Sequence, residues 1–326
     1  GKKTKYFISA NEGYHGKTLG ALSLTDTENF SEGFHLGLPK EQTIKIEYNN
    51  IQAYKNVISE LSSDKIVAII VEPIQGQIVE VAEKNYLKEI CKISNENNII
   101  VIFDEIKCGL GRSGNLFSFF DDDCVPDILT TSKALGGGKN AISAMVARKE
   151  IFNKAYGSIN RSTIHTTTFF GLGEACATAI ETLNIISDIA FLEDIKKKSL
   201  NIFSELNKLK DKYPNYIKTI KGKGLFIGIE FNFDDLISKF VFKKIRIPFI
   251  KNIKTILMGA IVREYLHKYK ILLHFNNSQP ETLVFMPPLI ISEDEIDYFI
   301  ESTKNILEKN LLNLFLKFIV GNVKPN

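Results

Sequence analysis

Three polar side chains stand where apolar runs stop. Glu72 follows Ile66-Val-Ala-Ile-Ile-Val71, Asp104 follows Asn98-Ile-Ile-Val-Ile-Phe103, and Lys133 follows Asp127-Ile-Leu-Thr-Thr131-Ser132. Charges at the ends of buried segments lose hydration and are retained only when something pairs with them. Lys133 is followed closely by Gly136, Gly137 and Gly138, so bare backbone comes near the amine. Desolvation favours a neutral lysine, and a neutral lysine is a nucleophile that forms imines with carbonyl compounds. A carboxylate such as Asp104 is the group that would hold a protonated ring nitrogen beside it.

The elements needed to bring these groups together are visible. Continuous β-branched runs of this length suit parallel strands covered on both faces. Between the first two runs, Tyr86, Leu87, Ile90, Cys91 and Ile93 fall on one helical face, which completes a βαβ unit. In open α/β sheets ligands bind at the C-terminal ends of the strands. Glu72, Asp104 and Lys133 all fall at that edge, so one crevice is expected to hold them.

The pattern changes after Gly173. A helix is expected from Glu174 through Ile186, and charged helical sequence continues to about Tyr213. Gly222-Lys-Gly224 turns into a strand ending at Phe231, followed by a helix near Ala260–Tyr269, strands near Ile271–His274 and Thr282–Met286, and a helix from Ser292. This predicts a larger α/β domain over residues 1–190 and a smaller α+β domain over 191–326.

Composition excludes several classes. The 326 residues are 44% hydrophobic and 24% charged, with a net charge of +3. That bias is too weak for a nucleic-acid or anionic-membrane partner. The four cysteines form no C-x-x-C pair and the five histidines add no metal-ligand spacing, so no metal is expected and a reducing, cytoplasmic setting is. The opening residues lack the apolar core of a signal peptide. The greasy run Asn310–Val323 is interrupted by Asn313 and Lys317 and is shorter than the roughly 20 residues that span a bilayer; it reads as a docking helix.

An imine-forming lysine paired with an aspartate suggests pyridoxal 5′-phosphate, whose ring stays an electron sink only while its nitrogen is protonated. Taken singly, Asp104 could be a helix cap, Lys133 a solvated strand end and the glycines a turn. In this order and spacing, the cofactor reading is the better one. The sequence resembles the class-III pyridoxal-phosphate aminotransferases, the ornithine, acetylornithine and putrescine type, from about residue 6 to about 305. The resemblance rests on GYHGKTLGALSLT (13–25), VEPIQG (71–76), FDEIKCGLGRSG (103–114), PDILTTSKALGGG (126–138), HTTTF (165–169) and FMPPL (285–289).

The resemblance implies a fold-type-I, aspartate-aminotransferase-like large domain with a mainly parallel sheet and a small C-terminal domain. It implies transamination from an amine or ω-amino acid to a keto acid or aldehyde. Lys133 would hold the cofactor and shuttle the proton, Asp104 would face the pyridine nitrogen, and Glu72 would orient Asp104 or the substrate. Tyr14 and His15 would line the ring, Lys107 would pair with its phenolate oxygen or point to solvent, and Thr168 would reach the phosphate bound by the neighbouring subunit of a homodimer.

The sequence also departs from the family. The Ser-Gly-x-Glu-Ala phosphate turn normally precedes the position of Gly1, so an N-terminally truncated chain is expected. Lys107 replaces a glutamine. Gln77 and Val284 replace the glutamate and arginine that manage a substrate carboxylate, and Phe170-Gly-Leu-Gly173 replaces G-G-N-P. A second reading is a homologue that keeps the fold and dimer surface without turnover. Gly109-Leu-Gly111-Arg-Ser-Gly114 matches a dinucleotide fingerprint, but the intervening Asp104–Cys108 and the nearby Pro126 leave no strand-to-helix turn for it.

Overall fold

The computed structural model describes residues 5–26, 30, 37–241, 252–276, 278–309, 311 and 314. Most of the C-terminal apolar run expected to dock as a helix lies outside the described residues. The chain divides into two compact units, Gly1–Glu193 and Asp194–Asn326.

The first unit is built on a six-stranded sheet. Its strands are β1 (Tyr6–Ala10), β2 (Thr43–Ile46), β3 (Ile66–Val71), β6 (Ile100–Asp104), β7 (Ile128–Thr131) and β8 (Ala144–Ala147), and a short ribbon of β4 (Ile74–Gln75) and β5 (Glu80–Val81) stands apart from it. The spatial order is β2-β1-β3-β6-β7-β8. All neighbours run parallel except β7 and β8. The three apolar runs read from the sequence are the three adjacent central strands β3, β6 and β7. Their continuous hydrophobicity follows from their position, covered on both faces.

Helices Ile51–Leu61 and Tyr86–Glu96 pack on this sheet. Asn50 begins the first by accepting the Ala53 N–H at 3.0 Å, which satisfies one of the donors a helix start leaves open. The second buries Tyr86, Leu87, Ile90 and Ile93 against a cluster containing Ile69, Val71, Val101 and Phe103. Tyr54 and Ser94 join the two helices by a hydroxyl hydrogen bond of 2.7 Å inside this layer.

Strands β1, β2 and β8 are not evident from apolar runs. β2 reads Thr-Ile-Lys-Ile, and its Lys45 extends to donate to Ser9 Oγ at 2.8 Å. β8 is largely exposed along its length, so nothing forces an apolar pattern on it.

The second unit contains a four-stranded antiparallel sheet ordered β11-β12-β10-β9, from β9 (Ile217–Lys223), β10 (Phe226–Phe231), β11 (His274–Asn276) and β12 (Gln279–Phe285). Gly222 has φ of +118° and an added Cβ would meet Phe226 O at 2.0 Å, so the hairpin needs glycine there. The helix expected near Ala260–Tyr269 begins earlier, at Ile253, and is closed by Lys270 in the left-handed region. The strand expected at Ile271–His274 forms only from His274, where pairing with Val284 starts. The helix Glu293–Glu308 opens with a reciprocal capping box between Ser292 and Glu295. Among the described residues no single helix is long and apolar enough to cross a membrane; the pair Gly173–Ile186 and Ile189–Lys212 passes only together, across a bend of 68°.

Ile90 is fully buried between helix and sheet. Ile90→Ala is expected to lower unfolding free energy by about 2–5 kcal/mol, the range for buried large-to-small changes. The shift of the urea midpoint at constant m-value measures it.

Candidate active site

The parallel strands of the first unit deliver their following residues to one edge. Asp104 is the last residue of β6, in register with Thr130 of β7, and Glu105 N donates onward to Thr130 O at 3.0 Å. Glu72 comes directly after β3, and Tyr14 and His15 belong to the loop that leaves β1.

Asp104 is buried, at 4% exposure. Its Oδ2 lies 3.0 Å from His15 Nδ1, and its Oδ1 accepts the Ile106 N–H at 3.1 Å. His15 Nε2 is buried without a partner among the described residues. His15 is held by its own backbone as well, whose N–H donates to Thr25 Oγ1 at 3.0 Å.

Glu72 clamps two loops. Its Oε2 accepts from Tyr14 N at 2.9 Å and its Oε1 from Gly76 N at 2.8 Å. Burial pushes its carboxyl up to about 7, an effect the charge of His15 opposes and that of Asp104 reinforces. Tyr48 adds a bond to the backbone of the same residue, its hydroxyl donating to Glu72 O at 2.8 Å.

Lys107 reaches across to Gly76 O, where its Nζ donates at 2.6 Å. Gly76 leaves the room for this: an added Cβ would meet Glu72 Oε1 and Lys107 Cδ, each at 2.9 Å. Burial first, and then the neighbouring charge of Lys133, lower the Lys107 ammonium to about 8. Two cationic side chains therefore act on each other at this edge.

Lys133 is exposed and opens a short 3-10 turn, Lys133–Gly136, with φ of +47°. A non-glycine residue in that region stores of the order of 1–3 kcal/mol, and such strain gathers at functional sites. Ser132, extended just before it, donates to Ile142 O at 2.8 Å and pins the turn.

Glu105, beside Asp104, has a structural task. It accepts Phe119 N at 3.0 Å and the Cys108 thiol at 3.2 Å, which closes the loop between them. Cys108 is buried and its thiol is pushed up by burial and by Glu105.

The structure thus gathers Tyr14, His15, Glu72, Asp104, Lys107 and Lys133 at one sheet edge. Thr168 is not among them; it sits in an exposed segment with Phe169 and Phe170, which are 76% and 80% exposed. Sequence reasoning missed Tyr48 and Gln75, whose Nε2 donates to Asn11 O at 2.6 Å. Neither lies where a strand end would point to it. Gln75 is inside the V-E-P-I-Q-G motif, which was the available signal.

The donor set suits pyridoxal phosphate. One buried carboxylate has lone pairs to spare for a ring nitrogen, an exposed lysine stands on strained backbone, and the orphaned His15 Nε2 awaits a polar neighbour. Among the described residues no group of three or more His, Cys, Asp or Glu could hold a metal.

Comparison with known proteins identifies the family. The family model for class-III aminotransferases matches residues 1–307. The acetylornithine aminotransferase of Methanocaldococcus jannaschii is 33% identical over 311 residues, covering 94% of this chain and 67% of the relative. Ornithine aminotransferase 2 of Staphylococcus saprophyticus is 32% identical, covering 92% and 66%. Among solved structures, an (S)-enantioselective omega-transaminase from Thermomicrobium roseum superposes with a TM-score of 0.80 at 26% identity, over 94% of this chain and 68% of that one. The ornithine aminotransferase of Toxoplasma gondii gives 0.77 at 26% identity, over 98% and 66%. The chain spans about two thirds of the length of the curated relatives it matches.

The raised Glu72 group has a consequence for stability. Its contribution is fully present below its ordinary value of 4.5 and is lost as pH rises to about 7, because the folded state holds that proton more tightly than the unfolded chain does. Lys107, lowered to about 8, titrates above this window. Glu72→Gln is expected to flatten the fall in stability between the two ends of the window, read from denaturant midpoints at each.

Proposed function

Because the chain belongs to the class-III aminotransferases, pyridoxal-phosphate-dependent transaminases of fold type I, we propose that it moves the amino group of an amine or ω-amino acid to a keto acid or aldehyde. The observation that carries the reading is the meeting of a buried Asp104–His15 pair with two interacting lysines, one of them Lys133 on strained backbone, at the C-terminal edge of a parallel sheet.

The cofactor, when bound, supplies an aldehyde for reaction with amines and a cationic ring that accepts the electron pair left as a proton departs from the donor carbon. Asp104 keeps a negative charge at the ring nitrogen, and His15 Nδ1 holds that carboxylate in place. Lys133 Nζ would hold the cofactor and would move the proton of the donor carbon. Its exposure leaves it accessible to substrate. Tyr14 would lie against the ring, and its backbone is fixed by Glu72. Glu72 orients the loops of β1 and β3. Lys107 would offer a half-buried cation to the ring's phenolate oxygen.

The rest of the proposal concerns assembly and substrate. The exposed Phe169 and Phe170 beside Thr168 support pairing with a second copy of the chain, with Thr168 donating to the phosphate held by the other copy. Neutral Gln77 and Val284 support a donor that is held without a charged clamp on a carboxylate. The free thiols of all four cysteines support residence in the cytoplasm.

The test is to incubate the protein with pyridoxal phosphate, reduce with borohydride and map the modified peptide. A single adduct on Lys133, lost in Lys133→Ala, is expected, together with amino transfer from ω-amines at a rate that Asp104→Asn lowers by at least about a hundredfold, the scale of losing a charge that acts in the transition state. An adduct on another lysine would overturn the assignment.

A further inference from the structure

Cys91 and Cys124 form no C-x-x-C pair in the sequence, and the fold sets both in one place. Cys91 lies on the helix Tyr86–Glu96 and Cys124 in the loop that leads to β7. Both line one half-open cavity of about 500 Å³ at the N-terminal edge of β6, away from the edge that carries Asp104 and Lys133. Both also pack against the apolar cluster between helix and sheet. Cys91 Sγ also lies 4.0 Å from Val125 O, next to Cys124. Lys88 on the same helix ties the loop down through Asp123 at 2.9 Å. Neither cysteine is fully buried, so small reagents reach them.

We propose that Cys91 and Cys124 form a redox-modification site, a dithiol that closes to an intramolecular disulfide by exchange with a low-molecular-weight disulfide and reopens with the corresponding thiol. Bond by bond, the Cys91 thiolate attacks one sulfur of the reagent, forming a mixed disulfide and releasing one thiolate. Cys124 then gives up its proton to solvent and attacks the Cys91 sulfur, releasing the second thiolate. The two protein thiols lose two electrons, and the reagent takes them up as two thiols.

Both thiols are half-buried, so the same exchange can begin at either one while the other resolves it. The other two cysteines have no such partner: Cys108 is buried on Glu105, and Cys176 sits on the helix Gly173–Ile186. The disulfide would tie helix to loop across the foot of β6 and β7, the strands whose far ends present Asp104 and Lys133. It closes a long loop and constrains the unfolded chain, so it raises stability unless the bond is strained.

The experiment titrates the folded protein with oxidised against reduced glutathione, traps free thiols with an alkylating agent and maps the peptides. A cross-linked Cys91–Cys124 peptide, two hydrogens lighter than the dithiol, is expected before any oxidation of Cys108. The oxidised protein should melt several degrees higher, and reductant should reverse the shift. In Cys124→Ser a stable glutathione adduct should remain on Cys91. Separate adducts on Cys91 and Cys124 in the wild type, or thiols that stay reduced in the most oxidising mixture, would overturn the proposal.

Discussion

The pairing of Asp104 with His15 is the interaction on which the site depends. A carboxylate this deeply buried needs a partner for its charge and its lone pairs. His15 supplies one by a direct bond, and the Ile106 N–H supplies another. The pairing works only because β1 and β6 end at the same edge of a parallel sheet. In an antiparallel arrangement neighbouring strands would end at opposite edges, and the β1 loop could not reach Asp104. The order β1-β3-β6-β7 also places Glu72 of the β3 end between the two, where it holds the backbone on either side.

This arrangement concentrates charge where the fold alone would avoid it. Glu72, Asp104 and Lys107 are each desolvated, and Lys133 is set in an unfavourable backbone region. The strain at Lys133 is held by β7 on one side and by the Ser132 bond to Ile142 on the other. The supporting layer is correspondingly plain: the helices Ile51–Leu61 and Tyr86–Glu96 cover the sheet with Ile, Leu, Val and aromatic side chains, and Glu105 closes the loop beyond Asp104 without taking part in chemistry. Rigid packing below and strain above are how a sheet edge holds reactive groups in a fixed pose.

Much of this was legible because burial on two faces writes a continuous apolar run into the sequence. β3, β6 and β7 could be read in this way, and with them the ends that carry Glu72, Asp104 and Lys133. β2 and β8 could not, because an edge strand is under no such constraint; β2 alternates and places Lys45 along the sheet, and β8 stands exposed. The His15–Asp104 bond was also out of reach, since it joins residues 89 positions apart and depends on how the β1 loop folds back. The motif put His15 near the cofactor without saying what it touches. Lys107 was left between a ligand contact and solvent, and the backbone carbonyl of Gly76 that holds it is a partner no side-chain pattern encodes.

The replacements at positions 77 and 284 gain meaning from their surroundings. Val284 lies near the C-terminal end of β12, opposite Gly228 of β10 and His274 of β11, and is 1% exposed. Its side chain completes the packing of that sheet and has no means of gripping an anion. Gln77 is buried and neutral. An arginine that recognises a carboxylate needs a counter-charge when the partner substrate lacks one, because an unpaired buried guanidinium is costly. With both positions neutral, that cost never arises, and neither does the bidentate clamp. Under the proposed function, discrimination between donors would then rest on shape and apolar contact, which separate substrates by far smaller factors than a buried charge pair does.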